Sequence, residues 1–147
     1  PKDIIKAIAK IQSQSTTNPS SISQAAAVEA LNGKQDFISI RSKAFQERRD
    51  FVVNSLNSID GINCLNPQGA FYVFPNCKKL IGKKDKEGKK IENDSDFVQL
   101  LLENYGIAVV QGSAFGLEGF FRVSYATSME NLEKAMNKIK EFCESLN

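Results

Sequence analysis

Hydrophobic positions along the chain follow helical spacing in the first part and strand spacing in the second. Ile4, Ile5, Ile8 and Ile11 share one face of an opening helix. Asn18-Pro19 then supplies a cap and a proline at the first helical position. It opens an alanine-rich run from Ile22 to Leu31, with Gly33 placed to stop it. A third pattern joins Phe37, Ile40, Ala44, Phe45, Phe51, Val52, Leu56 and Ile59, bracketed by Asp36 and Gly61. Its other faces carry Arg41, Lys43, Glu47, Arg48, Arg49 and Asp50. A helix of about 24 residues would span roughly 36 Å, long enough to bridge two domains.

The second half changes period. Gly69-Ala-Phe-Tyr-Val-Phe-Pro75 is an aromatic and β-branched run ended by proline, which predicts a strand. Asp94 or Ser95 can cap a helix carrying Phe97, Leu100, Leu101 and Tyr105, with Gly106 as terminator. Ile107 to Val110 reads as a short strand, followed by a glycine-rich turn from Gln111 to Gly119 and a strand from Phe120 to Ala126. Thr127-Ser-Met-Glu130 has the form of a capping box. It precedes an amphipathic helix with Leu132, Ala135, Met136, Ile139, Phe142 and Leu146 on one face. The order predicts an α+β fold, a small sheet covered on one side by helices and preceded by about 60 residues of pure helix.

Composition narrows the chemistry. With 147 residues, 41% of them hydrophobic, the chain can bury a core without metals or disulfides. Three cysteines at irregular spacing, Cys64, Cys77 and Cys143, make neither a disulfide framework nor a zinc site, which points to buried thiols and a reducing cytoplasm. No run approaches the ~20 apolar residues of a membrane span, and no signal-peptide pattern opens the chain. The absence of histidine removes Ser-His and Cys-His catalysis and histidine-ligated metals. A net charge of +2 predicts no nucleic-acid or membrane partner. The charge is uneven, because Lys78 to Asp94 holds seven lysines against four acidic residues. That segment reads as a solvated, mobile hairpin tip, or alternatively as an anion-binding loop that could dock an electrostatic partner.

One residue is hard to assign to scaffold. Along the strand from Phe120 to Ala126, Phe121, Val123 and Tyr125 share one face, and Phe120, Arg122, Ser124 and Ala126 share the other. If the first face meets the core, Arg122 stands mid-strand among small and aromatic groups. A guanidinium there pairs with an internal carboxylate such as Glu118, lies exposed, or waits for an anionic ligand. The adjoining glycine-rich turn lets a backbone approach a ligand closely, and the planar fork of arginine suits a carboxylate. Other signals are weaker. Ser42-Lys43 falls on the charged face of the long helix. The Gly112, Gly116, Gly119 spacing lacks the Lys-Ser/Thr of a phosphate loop and runs into a strand.

Four segments in order resemble the C-terminal part of class I, fold-type I pyridoxal-phosphate aminotransferases, most like the bacterial aspartate aminotransferase group. They are Lys10 to Pro19, Pro67 to Pro75, Val110 to Gly116 and Phe121 to Ala126. The resemblance implies amino transfer between aspartate or glutamate and a 2-oxo acid, pyridoxal 5'-phosphate as cofactor, and a cytoplasmic homodimer. It implies that residues 1–32 are the tail of the large cofactor-binding domain. Residues 33–147 would be the small domain, including the long linking helix. Within the chain it maps the substrate α-carboxylate onto Arg122 and sets Thr16-Thr17-Asn18 near the partner subunit's active site. The family's Schiff-base lysine, its pyridine-nitrogen aspartate and its phosphate-binding groups have no counterpart motif here, so the resemblance implies a fragment inactive by itself. A free-standing module that binds small carboxylates without catalysis is the alternative.

Overall fold

The computed structural model describes all 147 residues, which divide into two compact units, residues 1–38 and 39–147. The division falls in the first turn of the long helix rather than ahead of it.

The first unit contains α1 (Lys2–Ser15) and α2 (Ser21–Asn32). Neither helix buries a residue. The isoleucine stripe of α1 forms as its spacing predicts, but Ile4, Ile5, Ile8 and Ile11 stay 52–70% exposed. Two helices of this length are too little material to enclose an apolar face. The expected capping differs in detail. Ser20, not Asn18, is the residue before α2, and it makes no side-chain cap bond. Gly33 ends α2 in an extended conformation rather than a left-handed one.

α3 (Asp36–Asn57) has 22 residues, roughly 33 Å, slightly shorter than its pattern suggested. Its C-terminal half supplies Val52, Val53 and Leu56 to the core of the second unit. Three strands follow, β1 (Tyr72–Val73), β2 (Val110–Gln111) and β3 (Phe121–Ser124), together with α4 (Asp94–Tyr105) and α5 (Met129–Glu144). The sheet is antiparallel in the order β1-β3-β2, with Val73 opposite Val123 and Val110 opposite Arg122. All three strands are shorter than the sequence runs suggested. Around β1 the pairing nevertheless continues, as the Tyr125 amide donates to the Phe71 carbonyl at 2.8 Å and the Phe121 amide to Pro75 at 3.0 Å. Proline lacks an amide to give back, and Ala70 turns left-handed (φ 64°), so the regular ladder stops between them.

The alternation in β3 orients the sheet as expected. Phe121, Val123 and Tyr125 are buried, with Phe97 of α4 bridging Phe121 (5.0 Å between ring centroids) and Phe142 of α5 (5.2 Å). The phenol of Tyr125, the polar end of a buried ring, donates to the Ala70 carbonyl at 3.0 Å.

Three local expectations are corrected. The cap of α4 is Asn93, whose side chain accepts from the Asp96 amide, because Asp94 is already helical and turns its carboxylate elsewhere. The cap of α5 is Ser128, accepting from the Asn131 amide at 3.2 Å. Glu130 therefore falls one position early for a capping box and instead pairs with Lys134 one turn on. The lysine-rich segment is not a loose tip. Leu80, Asp85, Ile91 and Asp94 within it are buried, and Lys84 exchanges two backbone hydrogen bonds with Asn147, each 2.9 Å. Its lysines are the solvated part, and Leu80, Ile81 and Ile91 fasten it to the core.

All three cysteines are free and buried. Burial pushes the Cys64 thiol from an ordinary 9.0 up to about 11, and Cys77 and Cys143 up to about 12. The nearby charge of Asp94 adds to the effect of burial at Cys77. A raised thiol favours folding fully below about pH 9, and that contribution is lost as the pH climbs through 11 to 12. The native chain should resist an aromatic disulfide reagent near neutral pH and titrate three thiols only after denaturation. Prompt labelling of any of them in the native state would contradict this burial.

Candidate functional site

Arg122 stands at the middle of the central strand on the face turned away from the core, half-buried. No carboxylate lies within ion-pair reach of its guanidinium. Ion pairs form elsewhere, between Arg49 and Asp50, Lys89 and Glu103, Lys134 and Glu130, and Lys140 and Glu144. Two aromatic rings support it instead. Its central carbon lies 4.5 Å from the centroid of Phe115 and 5.3 Å from that of Tyr72. Each such contact contributes about 0.5–1 kcal/mol while leaving the in-plane N–H donors available.

Both rings are held by local structure. Tyr72 lies on β1 beside β3, directly opposite Ser124. Phe115 ends a 3-10 turn, Gly112–Phe115, between β2 and β3. Phe74 meets Phe115 edge-on at 6.0 Å and stacks on Phe120 at 5.5 Å. The turn fits closely against the strand that follows. A Cβ at Gly112 would come within 2.8 Å of the Phe120 Cβ and carbonyl oxygen and would also collide with the Leu117 carbonyl, so glycine is required there. Asp94, the first residue of α4, accepts the Ser113 amide at 2.6 Å.

Several of the turn's amides are committed internally. That of Gly112 donates to Phe120, that of Gly116 to Ser113 and that of Leu117 to Gly112. The Ser113 amide is engaged by Asp94, so four of the turn's amides already have partners within the chain. Glu118, the internal partner considered for Arg122, makes no ion pair with it. Lys43 is exposed on α3, and Thr16 to Asn18 are exposed in the first unit. No group of acidic, cysteine or histidine side chains could hold a metal ion, and no helix is long and apolar enough to cross a membrane. Sequence reasoning singled out Arg122 but not the residues around it, Tyr72, Phe115 and Asp94. Alternation opposite Val73 could have flagged Tyr72, whereas nothing local marks Asp94 as the support of a turn 19 residues away.

A guanidinium packed on two rings and paired with no acid keeps the in-plane N–H donors that a carboxylate could accept from. Sequence comparison places the chain in a family. The family model for class I and II aminotransferases matches residues 1–139. The chain belongs to that family. It is 55% identical over 146 residues to an aspartate aminotransferase of Rhizobium meliloti (strain 1021), covering 99% of this chain and 36% of that protein. It is 58% identical over 143 residues to a probable aspartate/prephenate aminotransferase of Rhizobium leguminosarum bv. phaseoli, covering 97% and 36%. The crystal structure of the aspartate aminotransferase from Rhizobium meliloti superposes with a TM-score of 0.92 at 54% identity, covering 100% of this chain and 37% of that one. The chain thus spans about a third of the length of the aminotransferases it matches.

Proposed function

We propose that this chain is the C-terminal third of an aspartate-type aminotransferase and that Arg122 receives the α-carboxylate of the amino-acid or 2-oxo-acid substrate. The observation that carries the reading is the guanidinium on the open sheet face, supported by Phe115 and Tyr72 and free of any acidic partner. Binding and orientation are what these residues contribute. Two parallel hydrogen bonds fix the carboxylate plane and the C–Cα axis, which leaves one rotation to be set by a second anchor on the substrate.

Pyridoxal phosphate, the cofactor the family implies, finds no holder among these residues. The Gly112, Ser113, Gly116 and Leu117 amides of the turn are engaged within the chain, and Lys78 places its ammonium over the Phe120 ring at 5.3 Å. In the intact enzyme that group acts as an electron sink. We assign its attachment to a lysine outside residues 1–147, so that this chain alone does not catalyse the reaction. Residues 1–32 are read as the tail of a large cofactor-binding domain and residues 33–147 as the small domain with its linking helix. The exposed isoleucines of α1 support the first assignment. A cytoplasmic homodimer is the assembly proposed for the intact protein.

The test uses the full-length protein. It should form glutamate from aspartate and 2-oxoglutarate when loaded with pyridoxal phosphate. Borohydride reduction followed by peptide mapping should place the label on a lysine outside this chain. A label on any of its own lysines, or no transfer from any dicarboxylic amino acid, would refute the reading.

A further inference from the structure

We infer that Asp94 is a positioning residue for substrate capture, holding the turn that seats Phe115 under the Arg122 guanidinium. The inference rests on the reading of Arg122 as the carboxylate grip.

Asp94 is 1% exposed, yet no cation pairs with it. Burying a carboxylate without a counter-ion is costly, so its position requires an explanation. Capping of α4 is not that explanation, because Asn93 performs it. The amino end of a helix favours a negative charge, but an exposed carboxylate one residue away would serve equally. What burial achieves is a short bond between Oδ2 and the Ser113 amide, 2.6 Å, reaching from α4 to the turn. That amide is the one that leaves the turn for another helix. The Gly116 and Leu117 amides close the turn on itself.

The connection to Arg122 is short. Ser113 and Phe115 belong to the same 3-10 turn, and the Phe115 ring lies 4.5 Å from the guanidinium carbon. With the turn released from α4, Phe115 can withdraw and Arg122 loses one of its two supports. The fork then reaches the substrate carboxylate at a poorer angle, although the arginine itself is untouched. Asp94 acts through the turn and does not touch substrate.

The discriminating measurement compares aspartate with β-alanine, which is aspartate without its α-carboxylate, in the full-length holoenzyme. Asp94→Ala should lower kcat/KM for aspartate about ten- to a hundredfold, chiefly through KM, since small misplacement of a positioning group costs that much. The half-reaction with β-alanine should stay within about twofold of its starting rate, because that substrate never engages Arg122. Asp94→Asn, which keeps an oxygen for the Ser113 amide, should recover most of the loss. Phe115→Ala serves where Asp94→Ala does not fold, because the Phe115 ring is 50% exposed and its truncation spares the core. It should produce the same selective loss. Equal losses for both substrates would reduce Asp94 to scaffold and overturn the inference, as would no loss in any of these variants. If Arg122→Ala itself leaves aspartate turnover unchanged, the carboxylate-grip reading fails first. If only the Asp94 and Phe115 variants lack selectivity, that reading stands and this inference alone falls.

Discussion

Replacing Arg122 by alanine in the full-length protein should lower kcat/KM for its amino-acid substrate by roughly 1.5 to 3.7 decades. The range is the ~2–5 kcal/mol cost of removing one partner from a desolvated, hydrogen-bonded charge pair, at 1.36 kcal/mol per decade. Stability should change far less. No ion pair is lost with the side chain, and the two ring contacts contribute about 0.5–1 kcal/mol each. This separation distinguishes a ligand-binding arginine from one that ties the scaffold together. Arg122→Lys should fall between wild type and alanine, because an ammonium retains charge but cannot offer two parallel donors. Steady-state kinetics with aspartate, alongside thermal unfolding of the same variants, checks both halves. A large loss of stability with preserved kcat/KM would return Arg122 to the scaffold.

The largest stability effect is expected at Phe97. Its side chain is 0% exposed and sits between Phe121 of the sheet and Phe142 of α5, so it joins three elements at one point. Phe97→Ala leaves a cavity that those elements can only partly close, at a cost of about 3–5 kcal/mol. At about 2–4 °C per kcal/mol for a chain of this size, the melting temperature should drop by roughly 6–20 °C. Phe97→Leu, which fills more of the space, should cost less. The check is urea unfolding with an unchanged slope. A loss under about 1 kcal/mol would mean that α4 does not lean on the sheet through this ring.

What the sequence disclosed follows from how local each signal is. The two faces of β3 were legible because alternation is a property of the strand itself, and Phe121, Val123 and Tyr125 turn inward as it requires. The buried stripe of α5 was legible for the same reason. Caps slipped by one residue where several oxygen-bearing side chains stand together, as in Asn93-Asp94-Ser95 and Thr127-Ser128. Composition cannot say which of them turns back to its own helix. The lysine-rich segment misled because charge dominates its composition, while Leu80 and Ile91 decide its packing. At the candidate site the arginine was visible from its own strand. Its supports come from β1, from the turn before β3, and through Asp94 from α4, and contacts between distant segments leave no periodicity to read.

The aromatic shelf beneath Arg122 has a consequence for how a ligand is met. A free arginine side chain carries about 2 kcal/mol of rotamer freedom, which binding must ordinarily freeze. Stacked on Phe115 and beside Tyr72, this one is partly ordered before any ligand arrives. The shelf brings no counter-ion that an incoming anion would have to displace. Encounter then becomes docking onto a surface already set rather than an exchange of partners.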